Sequence, residues 1–215
     1  MQQARPILTP EERRQRNHDE MSAAILQAAR DVMRTNGAAD LNLQEIARRV
    51  GMRAPSLYTY FPSKAAIYEA LFEMGMRMYC DQMEALHAQY GATWAGIEQA
   101  MENYLNFAIE NPELYQLLFE RPVPGFVPSP EGMLQANRLI DIARNIVREA
   151  IEAGMLRADI PADKYMNVFI AISHGLTAQH MANEPHLPAG SGRFGSLIPD
   201  MIALIRQVWS PPQAE

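Results

Sequence analysis

Apolar residues recur at intervals of three and four positions along almost the whole of this 215-residue chain, and no stretch alternates for long between apolar and polar residues. That interval matches the α-helix, in which residues i, i+3, i+4 and i+7 share one face, whereas a half-buried strand would alternate. The pattern predicts an all-α protein of about nine helices. Because 48% of the residues are hydrophobic, the chain can bury a core and is not expected to be disordered.

Helix boundaries are marked by residues that cap helix ends. Thr9-Pro10-Glu11-Glu12 supplies an N-cap, a proline in the first turn and a glutamate at N3, and Asn36-Gly37 ends that first helix. The helix is either continuous or divided near Asp19 into a loose arm and a core helix. Asn42 and Ser63 are predicted to cap a short helix and a long helix. Further helices are expected at 93–110, 112–119, 131–153, 161–182 and 194–209.

Charge is distributed unevenly along the sequence. Residues 1–64 hold ten Arg and Lys against seven Asp and Glu, whereas residues 65–215 hold nine against eighteen. Salt screens charges over about 8 Å, so a locally basic surface can bind DNA although the whole chain has a net charge of −6. The basic excess of the first part is small and is equally compatible with scattered surface charge.

Membrane insertion and disulfide bonding are not expected. No uninterrupted apolar run exceeds five residues, as in Val168–Ile172, against the roughly 20 that a membrane-spanning helix needs. The first twenty residues are polar and contain no hydrophobic signal segment. Cys80 is the single cysteine, which excludes an internal disulfide. We expect a soluble, cytoplasmic protein with no membrane partner.

The segment Leu41–Lys64 has the pattern of a helix-turn-helix, in which a first short helix supports a second one that enters the DNA major groove. The small Ala47 allows the two helices to cross closely, and Gly51 allows the positive φ angle of the turn. The second helix is expected over 55–61. It contains a row of hydroxyl-bearing side chains suited to phosphates and base edges, namely Ser56, Tyr58, Thr59 and Tyr60.

Over residues 22–72 the sequence resembles the TetR family of bacterial transcriptional regulators, on the motifs IARRVG, PSLYTYF and SKAAIYEALF. The resemblance implies that Tyr58 and Lys64 contact phosphates and that Ser56 faces one. It also places further residues where the family reaches bases or the flanking backbone, namely Gln44, Ala54, Thr59 and Tyr60. Arg53 stands where Ser or Thr often caps the recognition helix, which makes Arg53 itself a candidate for DNA contact. Tyr60 stands where His is frequent, and its alternative role is packing.

Family resemblance and charge together divide the chain into a basic extension (1–18), a helix-turn-helix domain (19–72) and an effector-binding and dimerisation domain (73–215). The extension contains Arg5, Arg13, Arg14 and Arg16, which suit contacts with phosphates or a minor groove. Acidic residues are interleaved with these arginines, so a solvated, frayed end is equally compatible with the sequence.

The C-terminal part is expected to form a homodimer and to bind a small molecule, as the resemblance implies. Helix 161–182 is apolar nearly all round and helix 194–209 has a wide apolar stripe, so that both need cover on more than one side. We expect these helices to form a four-helix interface. The alternative is a monomer in which they are central. Ser173-His174-Gly175 is loosely similar to a variety of the family that has a His-Gly pair in this helix.

A pocket for a small, mostly apolar or aromatic effector is expected among helices 93–182. Large apolar side chains and a few polar groups would line it, namely Met101, Tyr104, Phe107, Tyr115, Phe119, Phe126, Met133, Phe169 and His174. For each of these residues taken alone, an ordinary place in the core is the favoured alternative.

The sequence has no evident catalytic constellation, metal-ligand spacing or cofactor motif. Cys80 and His87 are about 10 Å apart along one helix, too far for a nucleophile and its base. His87 and His180 are expected at the surface. We predict a non-enzymatic regulator that binds double-stranded operator DNA, most simply a repressor. The alternatives are a helical ligand- or partner-binding protein with a vestigial helix-turn-helix, and a helical-bundle enzyme that uses Cys80 or His174.

Overall fold

The computed structural model describes residues 9–212, so Arg5 of the basic extension lies outside the described residues. Within that range the chain forms nine α-helices and no strand, which confirms the all-α prediction. The helices are α1 (Pro10–Asn36), α2 (Leu43–Arg49), α3 (Lys64–Tyr90), α4 (Trp94–Glu110), α5 (Pro112–Tyr115), α6 (Met133–Glu152), α7 (Ala162–Asn183), α8 (Gly192–Gly195) and α9 (Ile198–Trp209).

Side-chain caps fix the beginnings of the N-terminal helices. The hydroxyl of Thr9 accepts a hydrogen bond from the backbone N–H of Glu12 at 3.2 Å, and the Glu12 carboxylate accepts one from the N–H of Thr9 at 2.7 Å. Asn42 accepts from two backbone N–H groups in the first turn of α2, and Ser63 caps α3. α1 runs without interruption through Asp19, so the loose-arm alternative is wrong.

Three predicted helices differ in their detail. The segment expected over 55–61 is a 3-10 helix at Ala54–Thr59, a form that proteins use in short pieces. The helix expected over 112–119 changes from α to π geometry at Gln116–Glu120. The helix expected over 194–209 is divided into α8 and α9. Pro199 explains that division, because proline lacks an N–H and is tolerated only in the first turn of a helix.

The chain divides into two compact units. The first contains the residues up to Leu71 together with the segment Arg121–Val127, and the second contains Phe72–Glu120 and the residues from Pro128 onward. Phe126, which the sequence analysis assigned to the effector pocket, belongs to the first unit. Its ring packs against that of Tyr68 with centroids 5.6 Å apart. The segment after Arg121 is proline-rich and not helical. Helix periodicity therefore could not predict that this loop packs within the first unit.

The core of the first unit is built from one face of each of its helices. Ile25, Ala29 and Val32 recur at helical spacing on α1 and are almost completely buried, as is Ile46 on α2. Leu57 is the buried residue of the 3-10 segment. This arrangement anchors the segment on one side and leaves its other side chains directed away from the core.

The core of the second unit joins α4, α6, α7 and α9, with Met101, Leu105, Ala150, Leu176 and Ile202 among its members. Tyr165 and Trp209 meet edge to face with ring centroids 4.8 Å apart. The Tyr165 hydroxyl donates a hydrogen bond to the carbonyl of Arg157 at 2.8 Å. None of the helices in residues 9–212 is long and apolar enough to cross a membrane.

The prediction that His87 and His180 lie at the surface is wrong. His180 is completely buried, and its Nε2 lies 3.1 Å from the carbonyl oxygen of Leu187 in the loop that follows α7. His87 is partly buried and its Nε2 lies 3.0 Å from the Glu149 carboxylate. In both contacts the partner lies outside the helix that carries the histidine. The periodicity of one helix cannot predict such contacts, so both side chains were expected at the surface.

Candidate nucleic-acid interface and effector cavity

A glycine turn connects α2 to the 3-10 segment. Gly51 has a φ angle of 70°, in the left-handed region that glycine adopts without steric cost. The N–H of Met52 donates to the carbonyl of Ala47 at 2.9 Å, which closes the end of α2. Ala47 is buried, as expected for a small residue at a close helix crossing. The turn therefore directs the 3-10 segment away from the axis of α2.

Six of the eight predicted DNA-contacting side chains lie on the exposed surface of the first unit. Leu57 is 1% exposed, whereas the adjacent Tyr58 is 54% exposed. Solvent also reaches the side chains of Gln44, Arg53, Ser56, Thr59 and Lys64, while Ala54 and Tyr60 are half-buried. One short segment thus combines a single apolar anchor with a row of accessible hydroxyl groups, the arrangement that phosphate and base contacts need.

Tyr60 is held by packing within the first unit. Its ring stacks on that of His18 in α1, with centroids 4.9 Å apart and an angle of 29° between the planes. The contact joins the N-terminal half of α1 to the end of the 3-10 segment. It favours packing as the role of Tyr60, the alternative that the sequence left open.

Two cations border the exposed row. Arg53 occupies the N-cap position of the 3-10 segment and makes no side-chain capping hydrogen bond, so its guanidinium does not replace the missing Ser or Thr. Lys64 is the first residue of α3, and its ammonium lies 5.8 Å from the centre of the Tyr68 ring. Both side chains are exposed, as a phosphate contact requires.

Arginines of α2 are engaged by Glu45. Its carboxylate accepts from Arg48 Nε at 2.7 Å and Nη2 at 2.8 Å, and from Arg49 Nε at 2.8 Å. These hydrogen bonds, first from Arg48 and then from Arg49, lower the pKa of Glu45 to about 2. The pair of arginines is therefore partly neutralised and contributes less to the basic surface than the charge count suggests.

Changing Glu45 to Gln should make the stability of the folded chain less sensitive to acid. Because the folded-state pKa lies below its ordinary value of 4.5, the stabilisation is complete above pH 4.5 and is lost as the pH falls toward about 2. The effect is small and sensitive to salt, since the carboxylate is partly exposed to solvent. Thermal melts between pH 6 and pH 2 should show the gap between wild type and Glu45→Gln closing on acidification. The exposed Glu131→Gln serves as a control, and a gap that stays constant with pH contradicts the assignment.

The second unit contains a cavity of about 110 Å³. Residues of α3, α4, α6 and α7 form its walls, with Met83 and Leu86 on α3, Ala143 and Ile146 on α6, and Phe169 on α7. Among the nine residues predicted to line an effector pocket, Phe169 lies in this wall. Several wall residues are small, among them Gly96, Ala100 and Ala143, and leave space between the larger apolar side chains.

Four other predicted pocket residues form a packed aromatic cluster instead. Neighbouring rings meet edge to face or tilted, with centroids 5.2 to 5.9 Å apart for the pairs that join Tyr79, Tyr104, Phe107, Tyr115 and Phe119. Met101 is buried in the core of the second unit, and Met133 is exposed at the beginning of α6. Composition identified the aromatic side chains of this region but not which of them would pack against one another.

His174 contacts two of the hydroxyl groups of that cluster, those of Tyr104 and Tyr115. Its Nδ1 lies 3.0 Å from the Tyr104 hydroxyl and 3.3 Å from the Tyr115 hydroxyl. Burial raises the pKa of both tyrosines, that of Tyr115 to about 12, so both remain protonated near neutral pH. The polar groups expected to receive an effector are thus already bonded to one another.

Ion pairs connect α3 to α6 beside the cavity. The Arg138 guanidinium donates to Glu84 at 2.7 and 3.0 Å and to Asp81 at 2.9 Å, and the His87–Glu149 contact is a second connection. Local sequence patterns could not reveal these contacts because the partners are more than fifty residues apart.

Cys80 is poorly suited to nucleophilic chemistry. It is completely buried, its sulfur lies 3.4 Å from the carbonyl oxygen of Gln135, and burial raises the pKa of its thiol. The thiolate, which is the nucleophile, is therefore disfavoured. Among residues 9–212, no three His, Cys, Asp or Glu side chains are grouped so that they could hold a metal ion.

Comparison with known proteins relates both units to regulators. Residues 25–71 match the family model described as bacterial regulatory proteins of the tetR family, and residues 97–210 match that of the tetracyclin repressor-like C-terminal domain. The nucleoid occlusion factor SlmA of Marinomonas sp. is 25% identical over 162 residues, which cover 74% of this chain and 82% of that protein.

Two further comparisons extend this similarity. An HTH-type transcriptional regulator of Mycobacterium tuberculosis is 27% identical over 147 residues, which cover 66% of this chain and only 60% of that protein. The transcriptional regulator FadR from Bacillus subtilis, crystallised in complex with stearoyl-CoA, superposes with a TM-score of 0.67 at 16% identity. That alignment covers 85% of this chain and 96% of the other, and at such low identity it shows a common fold.

Proposed function

We propose that this chain, which belongs to the TetR family of DNA-binding transcriptional regulators, is a homodimeric repressor that a small apolar effector releases from a palindromic operator. The observation that carries the proposal is the exposed row of hydroxyl-bearing residues anchored by Leu57 in the helix-turn-helix. The site of action is the cytoplasm, where bacterial operators are accessible.

In the proposed complex, the 3-10 segment enters the major groove and its neighbours hold the backbone. Tyr58, Ser56 and Lys64 bind phosphates. Gln44, Arg53, Ala54 and Thr59 lie toward base edges or flanking phosphates, and His18 fixes Tyr60. Arg13, Arg14 and Arg16 are exposed on the first turns of α1 and add positive charge, although Arg16 pairs with Glu20 at 3.5 Å.

The proposed dimer interface is built from α7 and α9. Leu204 and Val208 on α9 are 57% and 61% exposed in the single chain. Ala171 and Gly175 are exposed one turn apart on α7, and no atom lies within 4 Å of a Cβ placed on Gly175, so this face is open to a second backbone. Exposed apolar faces of this kind favour association with another copy of the chain. Two-fold symmetry would then match two half-sites about 34 Å apart.

The proposed effector acts through α3. This helix begins with Lys64 and later contributes Met83 and Leu86 to the cavity wall. In this proposal α3 has two positions, and only one of them suits DNA binding. A ligand that binds one state more tightly than the other shifts the equilibrium toward that state. The resulting change in DNA affinity is limited by the difference between the ligand's affinities for the two states. An apolar effector agrees with the apolar wall of this cavity.

In vitro selection from random double-stranded DNA at about 150 mM salt tests the proposal, since phosphate contacts must survive that ionic strength. We expect a palindromic sequence whose affinity falls steeply with added salt, and a reporter gene behind that sequence should be silenced by the protein. A folded, dimeric sample that enriches no sequence would favour the vestigial helix-turn-helix. Activation of the reporter would contradict the repressor assignment.

A further inference from the structure

We propose that the cavity of the second unit takes an uncharged, apolar molecule about the size of one aromatic ring, such as toluene, and not a carboxylate or a long acyl chain. The inference rests on the proposed function, because it names the class of the effector. It differs from the expectation based on composition, in which tyrosine hydroxyls and His174 would hold the ligand. Those groups bind one another outside the cavity wall.

The size of the cavity sets the first limit. Its volume of about 110 Å³ is comparable to that of engineered apolar cavities of about 150 Å³ that bind benzene. The unbranched side chains of Met83 and Met166 lie in the wall and can adapt to the shape of a ring. Ile170, also in the wall, is 57% exposed, so the cavity extends to the surface of the chain.

The polarity of the wall sets the second limit. Three of its side chains carry a polar N–H or O–H group, those of His87, Tyr165 and Trp209, and the first two have partners elsewhere. His87 Nε2 contacts Glu149, and the Tyr165 hydroxyl donates to the carbonyl of Arg157. The remaining ring nitrogen of His87, Nδ1, is buried without a hydrogen-bond partner, so it is shielded from the cavity as well as from solvent.

A charged ligand would therefore lose its hydration and gain at most the indole N–H of Trp209 as a partner. Burying an isolated carboxylate costs far more than a contact with apolar side chains returns, whereas an apolar ring gains from leaving water. The nearby carboxylate of Glu149 would also repel an anion that approached His87. Wall chemistry and volume thus select the same class of ligand.

Ligand binding to the full-length protein, measured by thermal shift and isothermal titration, tests the inference with toluene, benzoate and stearate as probes. Toluene should raise the unfolding temperature in a saturable way, and benzoate should bind at least tenfold more weakly. Ala143→Phe, which places a ring in the cavity, should weaken toluene binding at least tenfold. Ala95→Phe adds the same ring at an exposed position of α4 and should leave toluene binding unchanged.

Phe169→Ala provides an independent readout if the filled variant does not fold. Removing that ring enlarges the cavity, so naphthalene should gain at least tenfold in affinity relative to toluene. Benzoate or stearate binding as tightly as toluene, or toluene binding unaffected by Ala143→Phe, would overturn the inference.

The outcomes separate this inference from the proposed function. If toluene binds in the cavity but does not release the selected DNA, the proposed ligand class is supported and the proposed effector mechanism is contradicted. Selected DNA that binds tightly to a protein without affinity for toluene supports the regulator and contradicts the ligand class.

Discussion

Replacing Tyr58 and Lys64 together by alanine should lower operator affinity by at least about 100-fold. Each side chain is exposed and is proposed to bind a phosphate. Hydrogen bonds to charged groups contribute roughly 1.5–3 kcal/mol each, and about 1.4 kcal/mol corresponds to a factor of ten. Fluorescence anisotropy with the selected operator measures the loss directly.

The salt dependence of affinity distinguishes the two contributions. In the proposed homodimer Lys64→Ala removes two cations from the phosphate backbone, one from each protomer, so the slope of log affinity against log salt should become shallower by about two. Tyr58→Ala removes a neutral donor and should leave that slope almost unchanged. Lys164→Ala, at the other lysine of the chain and on α7, is the matched control. Wild-type affinity in the double variant would exclude the assigned interface.

The stability of the double variant should remain close to that of the wild type. The buried contact of the 3-10 segment is made by Leu57, and neither Tyr58 nor Lys64 belongs to the buried core. Circular dichroism and thermal melting therefore serve as controls for folding. A loss of affinity without a loss of helicity identifies a contact surface, whereas a loss of both would identify a structural role.

Local features of the sequence predicted most of the helical architecture. Caps at Thr9, Asn42 and Ser63 and the glycine turn at Gly51 act within a few residues, so their effects can be derived from short stretches of sequence. The exposed face of the 3-10 segment follows the same logic, because Leu57 is its one apolar anchor. The break between α8 and α9 also has a local cause, which is Pro199. It was not predicted because the apolar stripe continues on both sides of this proline.

Contacts between distant segments could not be predicted in this way. The burial of His180 depends on a loop that returns over α7, and the Arg138 ion pairs depend on the packing of α6 against α3. The cavity has the same origin. Periodicity identifies which side chains face a neighbouring helix, but the volume left between helices depends on how several faces meet. Aromatic composition therefore pointed to the cluster around Tyr104 rather than to the space beside Phe169.

Placing glutamates at Leu204 and Val208 of α9 should convert the dimer into monomers and reduce operator affinity by more than 100-fold. Both side chains are more than half exposed in the single chain, so the double variant should fold. At the proposed interface, however, four carboxylates would be brought together and buried, which is strongly unfavourable. Sedimentation velocity measures the change in mass.

Operator affinity should fall because a monomer has one recognition segment and can bind only one half-site. In a dimer the second recognition segment binds at a high effective concentration, which raises affinity by factors of about 10² to 10⁴ without any new contact. Ile140→Glu introduces a carboxylate at an exposed apolar residue of α6 and should leave both mass and affinity unchanged. If the Leu204→Glu/Val208→Glu variant remained dimeric, the result would show that α9 is not part of the dimer interface. A monomeric variant with full operator affinity would instead show that one helix-turn-helix is sufficient for recognition.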